Sequence, residues 1–158
     1  MKMELIIMKC LKWGLTPITP NSWIRMYLQM KDGSKTHNDH SSSLPRCSFL
    51  PLSRLMQLLD LAVLDLGSLE FSYSVLATSA LYHTENKEVA LSLSGYKWEN
   101  IAQCVRWMAA FSFALSERSQ LQPKSFSGIH DDHADLLQTH SIDLHLLERA
   151  KQLHQLYI

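Results

Sequence analysis

Residues 54–83, RLMQLLDLAVLDLGSLEFSYSVLATSALYH, carry two apolar runs of helical period on either side of one glycine, and nothing else in the chain constrains the fold as strongly. In the first run Leu55, Leu58, Leu59, Ala62, Val63 and Leu66 recur at steps of three and four, with Ser53, Asp60 and Asp65 outside the stripe. Gly67 is expected to end this helix in a left-handed conformation. Ser68 is expected to cap the next one, with Glu70 in its first turn, where the positive end of a helix favours a carboxylate. The second helix would carry Phe71, Val75, Leu76, Ala77, Ser79 and Ala80, and its small side chains suit a close crossing of backbones. Two such helices back to back predict a helical core packed around 54–83.

The rest of the chain supplies further helices and no sustained strand alternation, so the predicted class is all-α. Residues 3–13 hold a helical pattern built on Leu5, Met8 and Leu11 or Trp13, broken by Thr16-Pro17-Ile18-Thr19-Pro20. Thr19 as cap and Pro20 at the first helical position start another helix, because the missing proline N–H costs nothing there. It carries Trp23, Ile24, Tyr27, Leu28 and Met30, after which 31–48 is polar and aperiodic and reads as a loop. A short amphipathic segment, 86–93, ends at Gly95. A long one, 98–115, shows Ile101, Cys104, Val105, Met108, Phe111 and Leu115 on one face. Residues 120–128 read as a connector. From 141 a last helix carries Ile142, Leu144, Leu147, Ala150, Leu153 and Tyr157, with Asp143 near its start and Lys151 near its end.

At 158 residues one domain is expected, burying roughly two-thirds of the surface of its unfolded chain. Fifteen basic and fifteen acidic residues cancel and no basic stripe follows a helix, so a nucleic-acid partner is not indicated. The longest uncharged apolar stretch, 71–82, is short of the roughly 20 residues that span a bilayer, and 5–8 is too short for the core of a signal peptide. Cys10, Cys47 and Cys104 cannot all pair, which points to a reducing compartment.

Catalytic chemistry finds no foothold. There is no GxSxG elbow, no GxGxxG or Walker-type loop, and Cys104 lies on the apolar face of its helix. His130, Asp131, Asp132, His133 and Asp135 cluster in sequence, yet a polar loop gives ligands no rigid frame, and neither a metal nor any other cofactor is expected. His83 and His140 read as helix-end donors to free carbonyls. Trp23, Trp98 and Trp107 read as core rather than as a ligand cleft. Thr16-Pro17 and Thr19-Pro20 have the form of proline-directed kinase sites, with helix break and cap as the structural reading.

With the helices placed, the residues resemble the second, C-terminal cyclin box of the cyclin family, in its cyclin E branch. ELIIMKCLKW (4–13) resembles the junction that follows the first box. LLDLAVLDLGSLEFSYSVLATSALYH resembles the second and third helices of the second box, SGYKWENIAQCVRWM (94–108) its fifth, and DLLQTHSIDLHLLERA (135–150) the tail helix. The resemblance implies a five-helix cyclin-box-like bundle, with 1–13 a remnant of the first box, 14–118 the C-terminal box, and 119–158 a connector and tail helix. It also implies a binding module rather than an enzyme, acting on a cyclin-dependent Ser/Thr kinase at the start of S phase, and incomplete for activation because the first box is not encoded. The implied location is the nucleus, with cytoplasm and centrosome as further places. Ser22, Trp23 and Gln29 match the family's centrosome-targeting motif and imply a centrosomal partner, while Arg25 stands where that motif has asparagine. The alternative is a diverged helical interaction domain without kinase-regulating activity.

Overall fold

The computed structural model describes residues 2–14, 17–33, 49–117 and 143–157. Among them the chain forms α1 (Lys2–Cys10), α2 (Pro20–Gly33), α3 (Phe49–Val63), α4 (Tyr73–Thr84), α5 (Lys87–Ser94), α6 (Trp98–Ser116) and α7 (Leu144–Tyr157), with a 3-10 turn at Leu66–Glu70 and no strand. The all-α class is as expected.

α4 is the axis of the bundle. Leu76, Ala77, Thr78, Ser79, Ala80 and Leu81 are all buried, so this helix has no solvent stripe along its middle, the mark of a helix enclosed on every side. It packs against α2, α3, α5 and α6, and α7 lies on α6 and α3. Its two threonines answer their own backbone: Thr78 Oγ1 donates to the Ser74 carbonyl at 2.8 Å and Thr84 Oγ1 to that of Ala80 at 3.0 Å. α6 follows its sequence period closely, burying Ile101, Cys104, Val105, Met108 and Phe111. α5 opens on Asn86, whose side chain accepts the Val89 N–H at 2.8 Å, and closes on Gly95 in the left-handed region at φ 70°.

The junction between α3 and α4 differs from the sequence expectation. α3 begins at Phe49, before the expected start, and Ser53, read as lying outside the apolar stripe, is buried. It ends at Val63, so Leu66 leaves the stripe and is 81% exposed. Gly67 is not a left-handed cap; it sits within the 3-10 turn, where Asp65 Oδ1 accepts its N–H at 2.8 Å. Glycine is needed there for another reason: a Cβ would stand 2.7 Å from Trp107 Nε1 of α6. Ser68 is buried in the turn and the cap position of α4 falls to Ser72.

Two other expectations shift. α2 continues to Gly33, so Lys31 is helical rather than the start of a loop, and residues 34–48 lie outside the described residues. In α7 Leu144 is 64% exposed; Ala150 and Leu153 are its buried residues, and Ile142 lies outside the described residues. α1 ends in a Schellman arrangement, with the Trp13 N–H on the Met8 carbonyl and the Lys12 N–H on that of Lys9, both at 3.0 Å. Lys12, at φ 50°, occupies the left-handed position glycine usually fills. α1 buries no residue: Met3, Leu5, Ile6 and Ile7 face solvent, as does Leu11 in the turn that follows.

Candidate functional site

The residues singled out for binding lie on α2, whose start is set by Thr19 and Pro20 as expected. Thr19 Oγ1 accepts the Ser22 N–H at 3.2 Å and lies 3.0 Å from Ser22 Oγ. The Thr19 carbonyl takes the Trp23 N–H at 3.2 Å. Along the helix, Ile24, Tyr27 and Leu28 turn into the core while Ser22, Met26, Gln29 and Met30 are exposed. Steps of three, four and seven place Ser22, Arg25, Met26 and Gln29 on one side, with Arg25 half-buried at the edge of the solvent stripe. Ser22 and Gln29 are brought together on that stripe, two turns apart. Trp23 is not: it is half-buried, packs against the core and meets Tyr27 with ring centroids 5.8 Å apart.

What holds this stripe in place is a set of contacts that sequence reading missed. The Tyr27 hydroxyl is paired with the Thr78 side chain of α4; burial raises its pKa, the Thr78 bond lowers it, and Tyr96 nearby adds to the rise. Ser74 Oγ lies 2.8 Å from Tyr96 Oη, joining the start of α4 to the loop before α6. At the far end of α2, Lys31 Nζ bridges to Glu85 Oε2 at 2.8 Å, with both groups about a quarter exposed. Polar pairs between helices distant in sequence leave no periodic trace.

The three tryptophans occupy three separate places: Trp23 and Trp107 pack against the core, while Trp98 is half-buried outside it. Trp98 packs on Tyr82 with centroids 5.5 Å apart and has Lys87 Nζ 4.5 Å from its own centroid. Trp107 gathers Phe71, Phe111 and His154 around it.

Among the described residues Cys104, His83, His154 and Glu117 are engaged by packing or pairing, while Cys10 and His145 are exposed. Burial pushes the Cys104 thiol up to about 11, with the Ser79 side chain opposing the shift, so the thiol stays protonated at neutral pH. His83 Nε2 lies 2.9 Å from the Val105 carbonyl in the middle of α6, not on a free carbonyl at its own helix end. His154 Nε2 makes the same kind of bond, 2.7 Å from the Trp107 carbonyl. A carbonyl only accepts, so each ring carries its proton on Nε2. Two histidines thus clamp α6 from α4 and from α7. Glu117, at the end of α6 where a carboxylate opposes the helix dipole, is held low in pKa chiefly by its two-pronged bond from Arg149 of α7, at 2.9 and 3.1 Å. No group of three or more metal-ligating side chains converges among the described residues, and His130, Asp131, Asp132, His133, Asp135 and His140 lie outside them.

Burial lowers the His83 pKa against the lift from its Val105 bond. The unfolded chain therefore takes up the proton first, near pH 6.5. Stability is expected to be full above that pH and to be lost as pH falls below it towards the lowered folded value. Urea midpoints at pH 7.5 and 5.5 check this, and the drop should be smaller in His83→Gln, which keeps a donor but does not titrate. An equal drop in both proteins would place the proton uptake elsewhere.

Residues 18–140 match the family model of the cyclin C-terminal domain. The chain is 40% identical over 154 residues to the G1/S-specific cyclin-E of Hemicentrotus pulcherrimus, covering 97% of this chain and 36% of that protein. It is 41% identical over 140 residues to the G1/S-specific cyclin-E1 of Danio rerio, covering 89% and 33% respectively. The G1/S-specific cyclin-E of Drosophila melanogaster is 34% identical over 129 residues. The chain thus spans about a third of the length of the first two relatives, 36% and 33%.

Proposed function

This chain belongs to the cyclin family, through its C-terminal domain, and from that premise we propose that it is a regulatory binding module for a cyclin-dependent Ser/Thr kinase acting at the start of S phase. The observation that carries the reading is identity to G1/S-specific cyclin-E proteins along nearly the whole chain, with the α2–α6 bundle intact beneath it. Cyclins are regulatory subunits and contribute no catalytic residue. Their effect is a population shift, in which binding stabilises the kinase conformation with its catalytic ion pair assembled. The nucleus is the location that goes with this role.

The chain spans 36% of the first relative, and by itself it is expected to bind without activating. Mixed with a monomeric cyclin-dependent kinase, it should co-elute on gel filtration and leave histone phosphorylation at its basal rate. Stimulation would overturn the second half of this statement. Failure to form a complex would favour the alternative, a helical interaction domain without kinase-regulating activity.

The α2 stripe is the proposed surface for a centrosomal partner, through Ser22 and Gln29 directly and through Trp23 as the residue that seats the helix. Arg25 presents donors only, where an amide both gives and accepts. A partner donor left unpaired by it would cost roughly 1 to 3 kcal/mol if desolvated, about tenfold or more in affinity. A fluorescent fusion of the whole chain is expected to gain centrosome enrichment on Arg25→Asn. Full enrichment with Arg25, unchanged by asparagine, would remove this position from the recognition.

A further inference from the structure

We propose that Thr19 is a phosphorylation site for a proline-directed Ser/Thr kinase. The inference does not rest on the kinase-regulating role above. Thr19 is followed by Pro20, and the pair stands at the point where exposed, non-helical 17–19 turn into α2. Proline at the next position has no N–H, and a kinase that selects Thr-Pro binds its substrate there without asking for one. The hydroxyl is accessible: Pro17, Ile18, Thr19 and Ser22 are all exposed, and among the described residues Thr19 Oγ1 bonds to the Ser22 hydroxyl and N–H, both local and exposed.

In the reaction the Thr19 oxygen attacks the γ-phosphorus of a nucleoside triphosphate. A new P–O bond forms, the bond from the γ-phosphorus to the β,γ-bridging oxygen breaks, the hydroxyl proton passes to the kinase's base, and the diphosphate leaves. The product suits its place in the fold. The first turn of α2 contains no acidic residue, so the favourable position for negative charge at this helix start is unfilled. A phosphate on Thr19 brings close to two negative charges and three acceptor oxygens there, within reach of the first-turn N–H groups. Arg25 stands on the same side as Ser22, one turn further on. Phosphorylation would therefore tighten the start of α2 and place a dianion beside the solvent stripe of Ser22 and Gln29, with Arg25 at its edge.

The test uses the full chain with a mitogen-activated kinase and ATP, followed by intact mass and peptide mapping. The expected result is one phosphoryl group on Thr19, lost in Thr19→Ala and in Pro20→Ala and retained in Thr16→Val, with circular dichroism confirming that each variant is folded. Amide exchange at 22–24 should slow by about two- to fivefold in the phosphorylated chain. Phosphate found on Thr16 alone, or none on Thr19, would overturn the assignment. Full modification of Pro20→Ala would overturn the proline-directed class, and faster exchange at 22–24 would overturn the predicted effect on α2.

Discussion

Replacing Phe111 by alanine is expected to destabilise the chain by about 3 to 5 kcal/mol, enough to consume much of the stability of an ordinary domain. Phe111 is the largest of the fully buried side chains, at 0% exposure. Its ring lies 4.9 Å from that of Trp107 and meets His154 of α7 edge-on at 5.2 Å. Truncation therefore empties the seam where α6 receives α7, and neighbours held by hydrogen bonds, such as His154 on the Trp107 carbonyl, relax into the gap only in part. Phe113 provides the contrast. It lies on the same helix, two residues on, and is 53% exposed, so Phe113→Ala should cost within about half a kcal/mol. Urea unfolding separates the two through the midpoint, with the slope unchanged if only stability has moved. Equal shifts would mean that α6 does not present the face assigned to it.

The second large effect concerns volume added rather than removed. Ala80 is fully buried in the middle of α4, the helix that four others pack against. Ala80→Leu adds three carbons where side chains already fill the space, and the resulting off-rotamer side chains and helix shifts should cost about 1 to 3 kcal/mol. The same substitution at Ala109, on the exposed side of α6, adds the same atoms to solvent and should stay within about half a kcal/mol. Ser53→Ala, neutral by the sequence pattern, is unsuitable as the control because Ser53 is buried. If both leucines lower the urea midpoint equally, Ala80 is not at a tight crossing and the central place of α4 is wrong.

Local signals were legible along the chain because their causes are local. Asn86 and Gly95 bound α5 through bonds to residues three or four away, and Thr19 with Pro20 starts α2 in the same fashion. The 3.6-residue period of α6 marked its buried face because every residue on that face meets the same core. The stretch 54–83 pointed to α4 as the centre because a run with no polar side can only be enclosed. The proposed binding residues, Ser22, Trp23 and Gln29, were legible only as a resemblance. Period alone distinguishes Ser22 and Gln29 outside from Tyr27 inside, and it says nothing of what meets them.

Other assignments depended on partners far away in sequence. Gly67 looked like a left-handed cap from its neighbours, but it is glycine to admit Trp107, forty positions on, and the cap moved to Ser72. His83 read as a helix-end donor, yet its acceptor is Val105 on α6, and the buried setting that lowers its pKa exists only once α4 and α6 are packed. Lys31 lay at the edge of a polar run until Glu85 gave it a partner across the α2–α4 seam. Sequence by itself determined that the helices form, the caps of α2 and α5 and the inward face of α6, since a hydrogen bond within one turn and an apolar stripe need no second element to be recognised. Tertiary structure alone decided which glycine, histidine and lysine were committed to which neighbour, since those energies depend on distances of a few ångströms between helices that one-dimensional spacing does not encode.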